Sequence, residues 1–253
     1  MILKFDIAMA SATLIPSLVY CFIIYLSSPF KSLSLKYSFA FMIAGIFSVV
    51  ILDLLNVLFP YWNVYYMCTP FDQQFLTVAP KEELVKYVMF WIVYRNLKND
   101  YDLHPITYMF YFGMVGLGFA FIENVGYSNR FGIQVMEYRA LGATAVHMIC
   151  GLLFGYWLGM SKIKRSNYFF RSVANIYLNK KPKFKYFIYW IAGLITACMF
   201  HGMWNFNYLT AGPVASIIAI LLIFIGLIIT KLLTRDLLTQ YRQTLDHDRR
   251  KIK

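Results

Sequence analysis

Residues 106–127 read ITYMFYFGMVGLGFAFIENVGY, an apolar run that ends in a carboxylate and an amide, Glu123 and Asn124. A membrane-spanning helix needs about 20 mostly apolar residues, and this stretch supplies them. Its glutamate then falls inside the bilayer, where a charged side chain costs about 2.5–3.5 kcal/mol near a helix centre and so needs a partner or a function. Working outward, the same criterion selects 7–27, 37–59, 76–94, 140–160, 186–208 and 212–230, for seven spans in all. The chain of 253 residues is 60% apolar and 14% charged, against about 45–50% and about 25% in soluble domains. The fold expected is an all-α polytopic transmembrane helical bundle, a single integral membrane domain over 1–253. In the first span Ala8, Ala10 and Ala12 precede the long apolar run instead of following it as a cleavage site, so it reads as a retained anchor.

The basic residues orient the bundle, because loops rich in Lys and Arg stay in the cytoplasm. With the N-terminus outside and the C-terminus cytoplasmic, 19 of the 24 basic residues fall inside, most of them in a loop at 161–185 and a tail at 231–253. Lys4, Lys81, Arg130 and Arg139 fall outside and Lys86 within a span. The net charge of +12 is therefore topogenic, with some attraction to anionic lipid at the basic cytoplasmic segments, and nucleic acid is a poor partner for it. Multi-pass insertion in the plasma membrane follows. Cys21, Cys68, Cys150 and Cys198 lack metal-finger spacing and read as small core residues.

Asp53, Glu82, Glu83, Lys86, Glu123, His147 and His201 lie within the spans. At about 1.5 Å of rise per residue, Glu123, His147 and His201 reach one layer in the outer third of the membrane, and Glu82, Glu83 and Lys86 open the third span from the same side. Helical spacing gives their direction. Ala143, His147, Gly151, Gly155 and Gly159 repeat every four residues, as do Gly193, Ala197, His201 and Asn205, while Gly116, Ala120 and Glu123 form a similar face. Small-residue stripes are where helices pack closely, so these polar groups face the bundle interior. Lys86 can bridge to Glu82 or Glu83 on one helix face but cannot neutralise both and Glu123 as well. Asn124, Asn205 and Asn207 read as interhelical hydrogen-bond donors, Trp204 and Tyr208 as an aromatic belt, and Asp53 as an interfacial contact.

Four segments together resemble the PrsW-type glutamic intramembrane proteases, relatives of the Abi and CAAX-processing endopeptidase group. They are Glu82-Glu83-Leu84-Val85-Lys86, matching E-E-x-x-K; Phe119-Ala120-Phe121-Ile122-Glu123-Asn124, matching F-x-x-x-E-N; His147-Met148-Ile149-Cys150-Gly151; and His201-Gly202-Met203-Trp204-Asn205. One segment falls on each of four spans, over a core of about 76–208. Asn205 departs from the aspartate that such sequences often carry. The resemblance implies a membrane endopeptidase, and for PrsW-like proteins a single-span anti-sigma factor cut on its extracytoplasmic side. CAAX-processing relatives instead handle prenylated peptides from the cytoplasm.

The mechanism expected is peptide hydrolysis by a glutamate-activated water without a cofactor. Glu82 or Glu83 is the base, Lys86 holds the pair, Glu123 and His147 position the water, and His201 with Asn205 stabilises the oxyanion. Spacing does not separate the two glutamates. A zinc ion held by the same histidines and carboxylates is the alternative. An ion-coupled transporter is a rival from another class, disfavoured because the inner halves of the spans carry no Asp, Glu, Lys, Arg or His. A non-catalytic protein on a protease fold is a third reading.

Overall fold

The computed structural model describes residues 7–27, 33–59, 69–97, 104–173 and 184–252, and among them the backbone is helical throughout, with short turns between. The elements are α1 (Ile7–Ser27), α2 (Leu35–Leu58), α3 (Pro70–Asp72), a π-helical turn (Gln73–Val78), α4 (Ala79–Leu97), α5 (Pro105–Phe131), α6 (Met136–Arg139), α7 (Ala143–Val173), α8 (Phe184–Thr210) and α9 (Ala215–Ile252). Side chains from 164 to 186 and beyond Leu245 lie outside the described residues, so most of the basic loop and the end of the basic tail are properties of the sequence alone.

Six helices are long and apolar enough to cross a membrane. The seventh expected span, α4, carries Lys81, Glu82, Glu83, Lys86 and Arg95, which lowers its hydropathy, yet its packing runs the full depth of the bundle. Ahead of α4, Phe75 lies 6.2 Å from Phe206 near the end of α8, and on α4 Tyr87 lies 5.4 Å from Trp190 near its start. Against α5 the order is Lys86 over Phe119, Phe90 on Phe112 and Tyr94 on Tyr108, at 4.0, 5.0 and 5.3 Å. The stretch Pro70–Leu97 is thus antiparallel to both neighbours.

Local sequence accounts for the starts of these helices. Thr69 and Asp72 form a reciprocal capping box with Pro70 at the first position, and His104 Nδ1 accepts from the Ile106 N–H at 3.2 Å ahead of Pro105. The six-residue π turn that follows Asp72 leads straight into the acidic start of α4. Turns of this kind are frequent at functional sites.

The centre of the bundle is α5 against α7. A side chain at Gly151, Gly155 or Gly159 would collide with the backbone of Phe112, Met109 or Pro105, and one at Gly116 with the carbonyl of His147. The stripes on α5 and α7 expected from sequence are therefore contact faces. Gly45 of α2 and Gly118 of α5 make the same kind of backbone approach. Rings fill the half of the bundle away from Glu123, which is the inner half in the orientation expected from the basic residues: Tyr111, Phe41, Phe90, Phe112, Phe154 and Tyr87 stack in sequence at 4.8 to 5.2 Å. α9 runs parallel to α7 and joins it near the inner end, where the Tyr156 hydroxyl donates to Asp236 at 2.7 Å. At about 1.5 Å per residue its 38 residues exceed the bilayer thickness, so it continues beyond the last span.

Candidate active site

Close approach of α5 to α7, and of α4 to α5 and α8, brings the intramembrane ionisable groups within bonding distance. Lys86 Nζ donates to Glu83 Oε1 at 2.7 Å and to His147 Nδ1 at 3.0 Å. An ammonium group has no lone pair, so His147 Nδ1 is the acceptor and its Nε2–H donates to Glu123 Oε2 at 2.9 Å. Glu83 Oε1 also receives His201 Nδ1–H at 2.8 Å. The Lys86 ammonium caps the Phe119 ring as well. All five expected catalytic residues, Glu82, Glu83, Glu123, His147 and His201, stand in this one layer, with Lys86 at its centre.

The two adjacent glutamates, indistinguishable by spacing, differ in three dimensions. Glu83 is fully buried and doubly engaged through one oxygen. Glu82 faces a cavity of about 380 Å³ shared with Glu123, His147, Arg139 and Asn205. Oε2 of each glutamate accepts no hydrogen bond, but that of Glu83 is enclosed in the bundle, whereas Glu82 lines the cavity with its Oε2 4.0 Å from Lys86 and 3.6 Å from His201 Nε2. A buried acceptor left unsatisfied costs about 1–3 kcal/mol, and more for a charged group, so the Glu82 oxygen at the cavity is disposed to accept from an incoming donor.

Arg139, expected in an outer loop, is instead part of the layer. The short α6 turns it inward, so that Nη2 donates to Glu123 at 2.5 Å and Nε to Asn124 at 2.7 Å, with the guanidinium over the Tyr127 ring at 3.7 Å. Asn124 in turn donates to Thr144 at 2.9 Å, fixing α5 to α7 as an interhelical donor should. A signal for Arg139 existed in the sequence: in the orientation expected from the basic residues, it is an arginine on the face that the positive-inside rule depletes.

Asn207 donates to the Ala215 carbonyl at 3.0 Å, from α8 to the start of α9, and so is the interhelical donor expected. Two other expectations are corrected. Asn205 lines the cavity half-buried, with no hydrogen bond to His201. Trp204 is buried against Gly142 on the cavity wall and takes no part in a lipid-facing belt. Cys150 is a buried free thiol, as a core residue should be, but it stands under the site beside Glu83 and His201. Asp53 is exposed on α2 and outside the charged layer.

The donor chemistry of this layer resembles that of a catalytic zinc site. One atom each of Glu82, His147 and His201 lie within 4.8 Å of one another, and two histidines with a carboxylate is a known catalytic donor set. The unsatisfied Glu82 oxygen and the His201 Nε2 beside it fit such an ion. His147 would have to exchange one of its two present partners. A second trio, Glu83, Cys150 and His201, meets the same distance limit deeper in the bundle.

Residues 34–230 match the family described as PrsW family intramembrane metalloprotease. Among curated relatives, Protease PrsW of Oceanobacillus iheyensis is 32% identical over 93 residues, covering 36% of this chain and 42% of that protein. Protease PrsW of Geobacillus kaustophilus is 30% identical over 106 residues, 41% of this chain and 46% of the relative. Protease PrsW of Shouchella clausii is 25% identical over 163 residues, 64% and 73%. The chain thus spans less than half the length of the first two relatives in these matches. No solved structure matches.

Proposed function

Since the chain belongs to the PrsW family, we propose that it is a multi-pass membrane endopeptidase that hydrolyses a peptide bond of a membrane-anchored protein near the extracytoplasmic side of the plasma membrane. The observation that carries the reading is the free Oε2 of Glu82 at the cavity wall, beside an imidazole nitrogen that is also without a close partner. Glu82 takes the proton of a water bound between them and later returns it to the leaving amine. Glu83 and Lys86 stay paired and hold the geometry. Glu123, clamped by Arg139, keeps the His147 ring fixed, so that its edge positions the water. His201, its Nδ1–H held by Glu83, turns Nε2 toward the cavity. Carrying a second proton there, it donates to the oxyanion, and Asn205 offers a further donor from the same wall.

A second reading is favoured by the donor trio and by the family's description as metalloproteases. Glu82, His147 and His201 would hold a zinc ion, which lowers the pKa of bound water and polarises the scissile carbonyl. The two readings differ at one atom: His201 Nε2 is a proton donor in the first and a lone-pair donor in the second. Metal analysis of the purified protein, with activity measured after exhaustive chelation, separates them. Activity without stoichiometric metal supports the first, and loss restored by zinc alone supports the second.

The aromatic stack closes the inner half, which suits a one-sided cavity better than a carrier's alternating path. The substrate class favoured by the resemblance is a single-span anti-sigma factor, with anionic lipid as the partner of the basic cytoplasmic segments. Comparative membrane proteomics of wild type and Glu82→Gln tests the reading. A single-span protein should accumulate uncleaved in the variant, and identical membrane proteomes with no such protein would remove it.

A further inference from the structure

An endopeptidase must hold its substrate on both sides of the scissile bond, and the cavity at Glu82 provides for one side. A second groove, of about 330 Å³, lies between α2 and α5 and shares Glu123 and Tyr127 with the first. These two side chains are therefore the wall between two neighbouring hollows at the same end of the bundle. The groove has two charges of its own, Asp53 on α2 and Arg130 on α5. Asp53 is exposed in an otherwise apolar stretch and, among the described residues, takes no hydrogen bond or ion pair. Arg130 makes a ring contact with Phe131 at 5.2 Å and has no carboxylate partner among them.

A spanning helix has its backbone groups satisfied internally, and cleavage requires it to unwind. Each N–H and C=O released near hydrocarbon then costs several kcal/mol unless it finds a partner. Asp53 offers only acceptors and Arg130 only donors, which are the two things an unwound strand lacks. We propose that the α2–α5 groove receives the membrane-side strand of the substrate, with Asp53 and Arg130 satisfying its opened backbone. The ligand class is an unwound polypeptide at the membrane border, recognised by its main chain and so tolerant of sequence. This rests on the endopeptidase reading.

The test uses the full-length protein carrying Glu82→Gln in vesicles of phosphatidylethanolamine and phosphatidylglycerol. A photo-crosslinking residue is placed at Val49 in the groove or at Phe47, which faces away from the groove on the same helix and is 52% exposed. The probe is a synthetic single-span peptide with a Gly-Pro pair at its outer border, and the control has Ala-Ala there. Crosslinking from Val49 should favour the Gly-Pro peptide, and Asp53→Ala or Arg130→Ala should lower it about tenfold, as loss of a charge-assisted hydrogen bond would. Equal yields from Val49 and Phe47, or no preference for the unwound peptide, overturn the proposal. Unchanged yields in both charge variants also overturn it and return Asp53 to an interfacial contact. The same peptide is then offered to protein with Glu82 restored. Groove crosslinking without cleavage supports the groove and overturns the endopeptidase reading, whereas cleavage without groove crosslinking overturns the groove alone.

Discussion

Around and outside the level of Phe119, helices α4, α5, α7 and α8 meet through carboxylates, an ammonium and two imidazoles, joined by the Arg139 guanidinium of α6. Further in, the same helices meet through ring faces and glycine-to-backbone contacts. The outer layer is held by paired charge and still leaves Oε2 of both Glu82 and Glu83 unsatisfied, the first of them at the cavity. The inner half is filled by shape. Within a membrane, where apolar surface gives helices no hydrophobic drive to associate, packing and interhelical hydrogen bonds must do that work. The inner half therefore carries the fold, and the outer half can keep an unsatisfied, reactive arrangement. If so, substitutions in the two halves separate: outer ones remove turnover and spare the fold, inner ones the reverse.

The largest effect is expected at Glu82. Glu82→Gln should lower turnover about 100- to 10,000-fold, the usual contribution of a general base, with the midpoint of thermal unfolding in detergent unchanged or raised. Turnover within a few-fold of wild type would return the role to Glu83. Gly155→Leu is the inner counterpart, because a side chain there meets the Met109 backbone at 2.5 Å. Overpacking of this kind costs about 1–3 kcal/mol or more, so the yield of folded protein should fall sharply. Protein that does fold should turn over normally.

Arg139→Gln comes next and probes the edge of the polar layer. It leaves Glu123 with His147 alone, so turnover should fall about tenfold or more, the worth of a charge-assisted hydrogen bond. Arg139→Lys should recover part of that loss, since a point charge replaces the bidentate fork only partly. Equal loss in both, with a lowered unfolding temperature, would make Arg139 a structural clamp instead.

How much of this was legible in the sequence follows the same division. Helical rise and the count of basic residues put Glu82, Glu83, Glu123, His147 and His201 at one depth, and the four-residue repeats of Gly151, Gly155 and Gly159 showed which face was turned inward. Those are periodic signals. Charge counting treats Arg139 as a loop residue, because its approach to Glu123 depends on a four-residue helix that folds the chain back and leaves no periodic trace. Glu82 and Glu83 could not be told apart, since both lie within one turn of Lys86 and their rotation is set by packing of the helix that the π turn feeds. The ring stack was hidden for another reason. Phe and Tyr on a spanning helix suit lipid as well as core, so only the neighbours decide.

The smallest effect, and the closest test of the division, is at Tyr156, whose hydroxyl donates to Asp236 at the inner end of α7. This is a charge-assisted bond inside the half assigned to shape, so it could signal chemistry there. Asp236 is only half-buried, so in Tyr156→Phe water can replace the lost donor and the carboxylate is not stranded. The cost should then be about 0.5–1.5 kcal/mol, the net worth of an ordinary hydrogen bond, seen as a small fall in unfolding temperature. Turnover should not change, because Tyr156 lies nine residues along α7 from His147, about 13 Å at the helical rise. A tenfold loss of turnover at unaltered stability would show that the α7–α9 contact reaches the polar layer. The inner half would then be part of the catalytic machinery, and the separation of fold from chemistry across the level of Phe119 would fail.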